Sequence, residues 1–164
     1  MGVSGSGKST IGALLAARLG WDFGEGDDLH PQANVDKMAA GHPLTDADRR
    51  PWLDRVHDWM AQRVRAGQPG IITCSALKRS YRERLREGIS DHVVFVLLHG
   101  DRELLLARLG ARRGHYMPPS LLDSQLGTLE VPGPDERALT VEVARPPAEQ
   151  VQEIVDAVTP GVTA

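Results

Sequence analysis

The chain is poor in the features that stabilise secreted or membrane-embedded proteins. It has a single cysteine, Cys74, so it cannot form an internal disulfide framework, and it fits a reducing compartment. We therefore expect a cytoplasmic protein. The longest apolar run, residues 93–98, is far too short for a membrane-spanning helix, so we expect no membrane partner.

No charge of either sign is in excess. Lys and Arg number 19 against 22 Asp and Glu, which gives a net charge of -3, and aromatic residues make up 4% of the chain. Surfaces that bind nucleic acids usually combine a basic excess with aromatic side chains that stack on bases. We therefore expect no nucleic-acid partner.

The sequence does contain enough apolar residues for one globular core. With 164 residues, 41% of them hydrophobic, we expect a single domain over residues 1–164. Short apolar segments predict strands at residues 70–74 and 93–98, with weaker candidates at 21–24 and 139–143. They alternate with helical patterns, which indicates a parallel sheet covered on both faces.

Helical spacing of apolar residues marks four segments, centred near Leu15, Val56, Leu105 and Ile154. In the second segment, Pro51 has no backbone N–H to donate. We therefore expect that helix to begin within about one turn before Pro51, with Asp48 as its cap.

The amino-terminal residues form a phosphate-binding loop motif. Residues 2–9 read GVSGSGKS and fit the pattern G-x-x-x-x-G-K-[ST]. Glycines let the backbone turn and aim N–H groups at phosphate oxygens, and the following helix adds its positive end. We expect Lys8 to contact the β- and γ-phosphates of ATP and the Ser9 hydroxyl to bind Mg²⁺. The predicted nucleotide-binding residues of the loop are Gly2, Val3, Ser4, Gly5, Ser6, Gly7, Lys8, Ser9 and Thr10.

A loop of this kind normally follows a buried strand, and here only Met1 precedes it. The loss of about five buried apolar residues would forfeit ~8–15 kcal/mol, comparable with the whole stability of a domain. We therefore expect the natural protein to carry about 5–10 further residues that form this strand. Without them, we expect low stability and weak activity.

An acidic turn follows the first predicted strand. Residues 25–28 read EGDD, and parallel strands present their carboxyl ends to a ligand crevice. A small-molecule kinase needs a carboxylate beside the acceptor hydroxyl, and Asp27 is our candidate. The guanine-binding signature N-K-x-D of GTPases is missing from the sequence.

Four stretches of the chain resemble the gluconokinases of the shikimate-kinase-like group of P-loop kinases. They are residues 2–10 (GVSGSGKST), 25–53 (beginning EGDDLHPQ), 74–86 (CSALKRSYRERLR) and 108–132 (beginning RLGARRGHYMPP). The resemblance implies ATP-dependent phosphorylation of D-gluconate at its terminal hydroxyl. Residues 141–147 match only loosely, which leaves the adenine contacts open.

The resemblance also implies a binding site for the acid. Arg49 is similar to the arginine that holds the acceptor's acid group in these kinases, although it could also be a solvated residue near a helix start. His30 and Lys37 are candidate substrate residues, with a turn hydrogen bond and a surface position as their alternatives. Ser75 could cap a helix, bind substrate or do both. Lys78 is a further substrate candidate, unless it belongs to a solvated basic helix face.

A lid over ATP is implied at about residues 108–120. An arginine delivered by a closing lid would stabilise the charge that develops on the γ-phosphoryl group. We favour Arg112 as this catalytic arginine, with Arg108 second. His115 and Gln125 are candidates to contact the polyol, although both are equally compatible with purely structural positions.

Together these features predict an α/β three-layer sandwich of the P-loop NTPase type. Its parallel sheet should have about five strands, the first and central one absent from this sequence. Two alternative functions stay open, namely a kinase for another small polyol or acid such as shikimate, and a nucleotide-dependent binding protein without kinase activity. The sequence leaves the oligomeric state open, with a homodimer as one option.

Overall fold

The computed structural model describes residues 1–111 and 119–159. Its helices and strands alternate, as the sequence predicts for an α/β protein. In chain order they are α1 (Lys8–Leu19), β1 (Asp22–Glu25), α2 (Gln32–Ala39), α3 (Asp46–Ala66), β2 (Gly70–Thr73), α4 (Arg79–Leu85), β3 (Phe95–His99), α5 (Arg102–Gly110), α6 (Pro119–Thr128), β4 (Ala138–Glu142) and α7 (Pro147–Val158).

The strands of the described residues form two parallel pairs. In one pair β1 lies beside β2, with Asp22 opposite Gly70, and in the other β3 lies beside β4, with Phe95 opposite Ala138. All four predicted strands are confirmed, with ends that differ by one or two residues. Within each pair the carboxyl ends of the strands lie side by side, and that of β1 leads into the acidic turn.

An apolar cavity of about 590 Å³ separates β2 from β3. Its lining includes Ile11, Leu15, Ile72 and Phe95. Met1 lies at one end of the cavity and pairs with β3. Its nitrogen donates a hydrogen bond to the carbonyl oxygen of Val96, and its own carbonyl accepts one from the backbone N–H of Leu98 at 2.9 Å.

Helices cover both faces of the strands. On one side α1 and α7 pack on each other, α1 against β2 and α7 against β4, and bury side chains such as Leu15 and Ile154. On the other side α3 packs against β2 and α4, and buries Trp52, Val56 and Leu85 in a second cluster. The result is the three-layer arrangement that the sequence predicts.

Helix α3 begins earlier than predicted and has a different cap. Thr45 is the cap, because its hydroxyl accepts a hydrogen bond from the backbone N–H of Asp48 at 3.2 Å. The Asp48 carboxylate in turn accepts from the Thr45 N–H at 2.7 Å, which completes a capping box. The prediction of Asp48 as the cap was therefore wrong, since Asp48 is the third helical residue. Pro51 lies inside the helix.

Candidate active site

Residues 2–9 form a tight loop that leads directly into α1. Gly2, Gly5 and Gly7 have φ of 139°, 81° and 93°, a region that side chains strongly disfavour. A Cβ on Gly5 would also lie 3.1 Å from the carbonyl oxygen of Leu105. The backbone path of the loop therefore depends on glycine, as the sequence motif predicts.

Lys8 and Ser9 occupy the first turn of α1. The Lys8 Nζ donates a hydrogen bond to the carbonyl oxygen of Val3 at 3.1 Å, so the side chain folds back across the loop. Ser9 and Thr10 are exposed. The buried hydroxyl of Ser6 has no hydrogen-bond partner in the part of the chain that the structure describes.

Two side chains from later in the chain reach this loop. The Gln125 Oε1 accepts a hydrogen bond from the Ser4 backbone N–H at 2.7 Å. The Nη2 of Arg108 donates a hydrogen bond to the carbonyl oxygen of Val143 at 2.6 Å. Its Nη1 points toward Gly7, and a Cβ atom built on Gly7 would lie 3.9 Å from it. Arg108 is thus beside the phosphate loop. Gln125 also lies on the loop, and its contact with a polyol stays a prediction.

The acidic turn is fixed by β2 and α3. The N–H of Gly26 donates to the Thr73 hydroxyl at 3.2 Å, and the Thr73 hydroxyl donates to the Glu25 carboxylate. The Trp52 indole N–H donates to the Gly26 carbonyl oxygen at 2.7 Å. A Cβ on Gly26 would lie 1.9 Å from the Thr73 carbonyl oxygen, so only glycine fits there. Asp27 follows directly and is exposed.

His30 lies at the end of this turn against α2 and α3. Its ring stacks on Trp52 with centroids 4.3 Å apart, and its Nδ1 is 3.3 Å from the Nδ2 of Asn34. Burial lowers the pKa of His30, the nearby Asp27 carboxylate opposes that shift, and Arg49 adds to it. His30 is therefore electrostatically coupled to both Asp27 and Arg49.

Arg49 is a partly buried cation with no carboxylate partner among the described residues. Its guanidinium lies 6.0 Å from the centroid of the Tyr81 ring. Hydrogen bonds from Tyr81 and Lys78 are the main reasons why the pKa of Asp46 is lowered. The charge of Arg49 makes a smaller contribution in the same direction. Arg49 is thus available to a carboxylate ligand.

The two predicted substrate lysines are already paired with aspartates of α3. Lys37 Nζ lies 2.6 Å from the Asp48 carboxylate, and Lys78 Nζ lies 2.9 Å from that of Asp46. The Asp46 pair raises the pKa of Lys78. Lys78 occupies the position just before α4 and makes no side-chain capping hydrogen bond, so the alternative place on a helix face is wrong, and its contact with substrate stays a prediction.

The phosphate loop and the acidic turn meet at the carboxyl end of β2. The Gly2 N–H donates to the Ser75 carbonyl oxygen at 3.2 Å. Burial raises the pKa of the adjacent Cys74 thiol to about 12, with Asp27 adding to the rise and Lys8 reducing it. The phosphate loop and the acidic turn thus each make a hydrogen bond to residues 73–75, through Gly2 and Gly26. The next residue, Ala76, has a φ of 45°, which is unusual for a non-glycine residue.

The described residues hold neither a metal-binding cluster nor a membrane-spanning helix. Within residues 1–111 and 119–159, no group of three or more His, Cys, Asp or Glu side chains could hold a metal ion. In the same residues, no helix is long and apolar enough to cross a bilayer.

Comparison with known proteins identifies the family. A family model described as an AAA domain matches residues 1–132. A gluconokinase of Gluconobacter oxydans is 54% identical over 94% of this chain and 86% of its own length, and a thermosensitive gluconokinase of Escherichia coli is 52% identical over 84% and 73%. The crystal structure of a gluconokinase from Sinorhizobium meliloti superposes with a TM-score of 0.88 at 49% identity, over 96% of this chain and 88% of that one. The chain belongs to the gluconokinase family.

Membership of the gluconokinase family makes the protein a nucleotide-binding phosphotransferase with a small-molecule substrate. Among the residues predicted from sequence, Asp27 and His30 belong to the acidic turn at the end of β1, and Arg49 is near enough to His30 to affect its pKa. Arg112 and His115 lie outside the described residues, as does most of the predicted lid, so their roles stay predictions.

Sequence reasoning assigned no contacts to three side chains that the structure buries. Asn34 and Trp52 hold His30, and Arg82 is fully buried in an ion pair with Glu136. Trp52 carried a signal, because it falls on the apolar stripe of α3. Arg82 carried none, since Glu136 is 54 residues away, and Asn34 carried none, since its second partner is a backbone oxygen 14 residues away.

Proposed function

We propose that this member of the gluconokinase family transfers the γ-phosphoryl group of ATP to the terminal hydroxyl of D-gluconate, giving ADP and 6-phospho-D-gluconate. The observation that carries the proposal is the junction at β2, where the phosphate loop bonds to Ser75 and the Asp27 turn bonds to Thr73. A nucleotide phosphate and an acceptor hydroxyl could meet there. The 54% identity to a gluconokinase supports gluconate over shikimate as the acceptor.

The acceptor's carboxylate is assigned to Arg49. A guanidinium can hold a carboxylate through two parallel hydrogen bonds, and Arg49 has no carboxylate partner in the described part of the chain. Lys37 and Lys78 stand near the same helix end, so each would reach the acid only by leaving Asp48 or Asp46. Ser75 would add a hydroxyl at the end of β2.

Asp27 would orient the acceptor hydroxyl and accept its proton as the phosphoryl group transfers. An exposed carboxylate at the carboxyl end of a parallel strand is suited to this task. Lys8, Arg108 and the lid residue Arg112 would balance the charge that spreads over the phosphoryl oxygens. Lid closure would exclude water and so limit wasteful ATP hydrolysis.

The exposed Ser9 hydroxyl fits a role as the protein ligand of Mg²⁺. Mg²⁺ keeps several waters and usually takes one or two protein ligands besides phosphates, which agrees with the lack of a metal-binding cluster in the described residues. When bound, the ion would neutralise charge on the nucleotide phosphates. We also propose a cytoplasmic location, supported by the free buried thiol of Cys74.

An acceptor-panel assay tests the proposal. ADP release would be measured with gluconate, with shikimate and without an acceptor, and gluconate should give by far the highest kcat/KM. Asp27→Asn should lower kcat by a factor of about 100 or more with little change in the KM for ATP. Asp36→Asn, an exposed aspartate on α2, is the matched control. Preference for shikimate, or ATP binding without turnover of any acceptor, would favour one of the two alternative functions.

A further inference from the structure

The imidazole of His30 is held from two directions. Trp52 covers one face, with ring planes only 13° apart, and the Asn34 side-chain amide contacts Nδ1. Asn34 is itself buried, with 5% of its surface exposed, although it lies on a helix whose other residues are largely exposed. A buried polar side chain on a surface helix is costly unless it makes specific hydrogen bonds.

The hydrogen bonds of Asn34 fix which of its atoms faces His30. The same Nδ2 donates to the backbone carbonyl oxygen of Asp48 at 2.9 Å. A carbonyl oxygen can only accept, so the group facing it must be the NH₂ and not the amide oxygen. That NH₂ also faces His30, and His30 Nδ1 must therefore be an acceptor. The ring proton of neutral His30 is then on Nε2.

The surroundings of His30 also favour its neutral form. Protonation would place an N–H on Nδ1 directly against the Asn34 NH₂, where two donors face each other. Arg49 on α3 opposes a positive charge on the ring and Asp27 favours one. Lys37 and Asp48, which lie on the elements packed around Asn34, are paired with each other.

We propose that Asn34 and Trp52 are positioning residues that hold His30 as a neutral Nε2–H donor for a hydroxyl oxygen of the sugar acid. This inference rests on the proposed function. In the described residues Nε2 has no hydrogen-bond partner, whereas Nδ1 is already used. A neutral donor suits a hydroxyl oxygen, while an imidazolium would compete with Arg49 for the carboxylate. With Nε2–H assigned to a hydroxyl oxygen and Arg49 to the carboxylate, the tautomer of His30 helps to set the orientation of the sugar acid in the site.

The protonation state can be read without any activity measurement. A long-range ¹H–¹⁵N spectrum of the full chain labelled with ¹⁵N-histidine reports which ring nitrogen carries the proton, and His30→Gln assigns the His30 signals. At pH 7 we expect one protonated nitrogen, Nε2, and an unprotonated Nδ1. A proton on Nδ1, or on both nitrogens, overturns the inference.

Kinetics test the donor itself. His30→Phe keeps an aromatic ring against Trp52 but removes the donor, and should raise the KM for gluconate about 3- to 10-fold with a smaller effect on kcat. His30→Gln, which can still donate an N–H, should recover part of that loss. An unchanged KM in an active His30→Phe enzyme overturns the donor role.

Asn34→Asp tests the positioning role. A carboxylate would accept from Nδ1 and favour the imidazolium, so the KM for gluconate should rise and vary with pH between about 6 and 8. Gln32→Glu places the same added charge on the same helix, where Gln32 is exposed, and should show neither effect. A pH profile unchanged by Asn34→Asp overturns the inference.

Failure of the inference and failure of the proposed function give different results. An unaltered chain that never phosphorylates gluconate overturns the function, and the donor role with it, whatever the spectrum shows. An active gluconokinase with the wrong His30 tautomer overturns only the inference. If Asn34→Asp does not fold, the spectrum and the His30 variants still decide the question.

Discussion

Arg82 and Glu136 form a bidentate ion pair that is buried away from solvent. The Arg82 Nε and Nη2 donate to the two Glu136 carboxylate oxygens at 2.6 and 2.8 Å, and the two side chains are 0% and 1% exposed. The remaining Nη1 donates to the carbonyl oxygen of Glu130 at 2.9 Å. The pair ties α4, which follows the Ser75 segment, to the chain leading into β4.

We expect removal of Arg82 to be strongly destabilising. Arg82→Met would leave Glu136 buried without its partner, at a cost of about 3–5 kcal/mol in the free energy of unfolding. The double variant Arg82→Met/Glu136→Met should recover part of that loss, since no charge is then left unpaired. Urea unfolding checks this, with Arg79→Met as the control, because the ion pair of Arg79 with Asp135 is exposed. Equal losses for Arg82 and Arg79 would contradict the prediction.

The stability of the fold should fall in acid. Hydrogen bonds from Lys37 and then Thr45 lower the pKa of Asp48 to about 2, and Arg82 lowers that of Glu136. A depressed pKa in the folded state adds stability that is complete above the unfolded pKa, near 4, and is lost as the pH falls through the folded value.

Urea midpoints at pH 6, 4 and 3 should therefore decrease in that order, and Asp48→Asn should weaken this dependence below pH 4. Asp58→Asn alters an exposed carboxyl on the same helix that has no ion pair among the described residues, so it should preserve the wild-type slope. Parallel curves for wild type and Asp48→Asn would refute the assignment.

The cavity between β2 and β3 should accept one more strand. Met1 already pairs with β3 through Val96 and Leu98, and Gly2 bonds to Ser75 beyond β2, so a segment placed before Met1 would enter the cavity in register. Each buried Val or Ile contributes ~1.5–3 kcal/mol, and new ladder hydrogen bonds would satisfy the facing strand edges.

A chain lengthened before Met1 by four Val and Ile residues should consequently unfold about 5 °C or more above the unextended chain. The matched control carries four Gly and Ser residues, which supply the length without the apolar side chains. Equal Tm values for the two extended chains would show that the cavity does not take a strand.

Arg108 should affect nucleotide binding more than stability. Its guanidinium lies beside Gly7 of the phosphate loop, where it could donate to a phosphate oxygen. Loss of a charge-assisted hydrogen bond is worth ~1.5–3 kcal/mol, so Arg108→Met should raise the KM for ATP about 10-fold or more. Arg18→Met, an exposed arginine on α1, is the control. An unchanged KM for ATP would exclude Arg108 from the nucleotide site.

Local patterns in the sequence were enough to predict most of the framework. The phosphate loop depends on residue types at fixed spacing, so residues 2–9 could be assigned without a structure, and three glycines indeed take positive φ. The four strands and the helices with an apolar stripe were likewise predicted. Helix α2 was missed because Asn34 is its one buried residue, which leaves no periodic apolar signal.

Features that depend on distant partners were decided by the tertiary structure. Trp52 and Gly26 are 26 residues apart, and Arg82 and Glu136 are 54 apart, so neither contact has a local signature. Burial makes Arg82 half of an internal ion pair, a position that its place in the sequence left open. The sequence by itself determined which chemical groups the gluconokinase fold carries, because spacing along one loop or helix is a local property. The packing of separate elements decided which of those groups meet, since hydrogen bonds and burial arise only when distant segments come together.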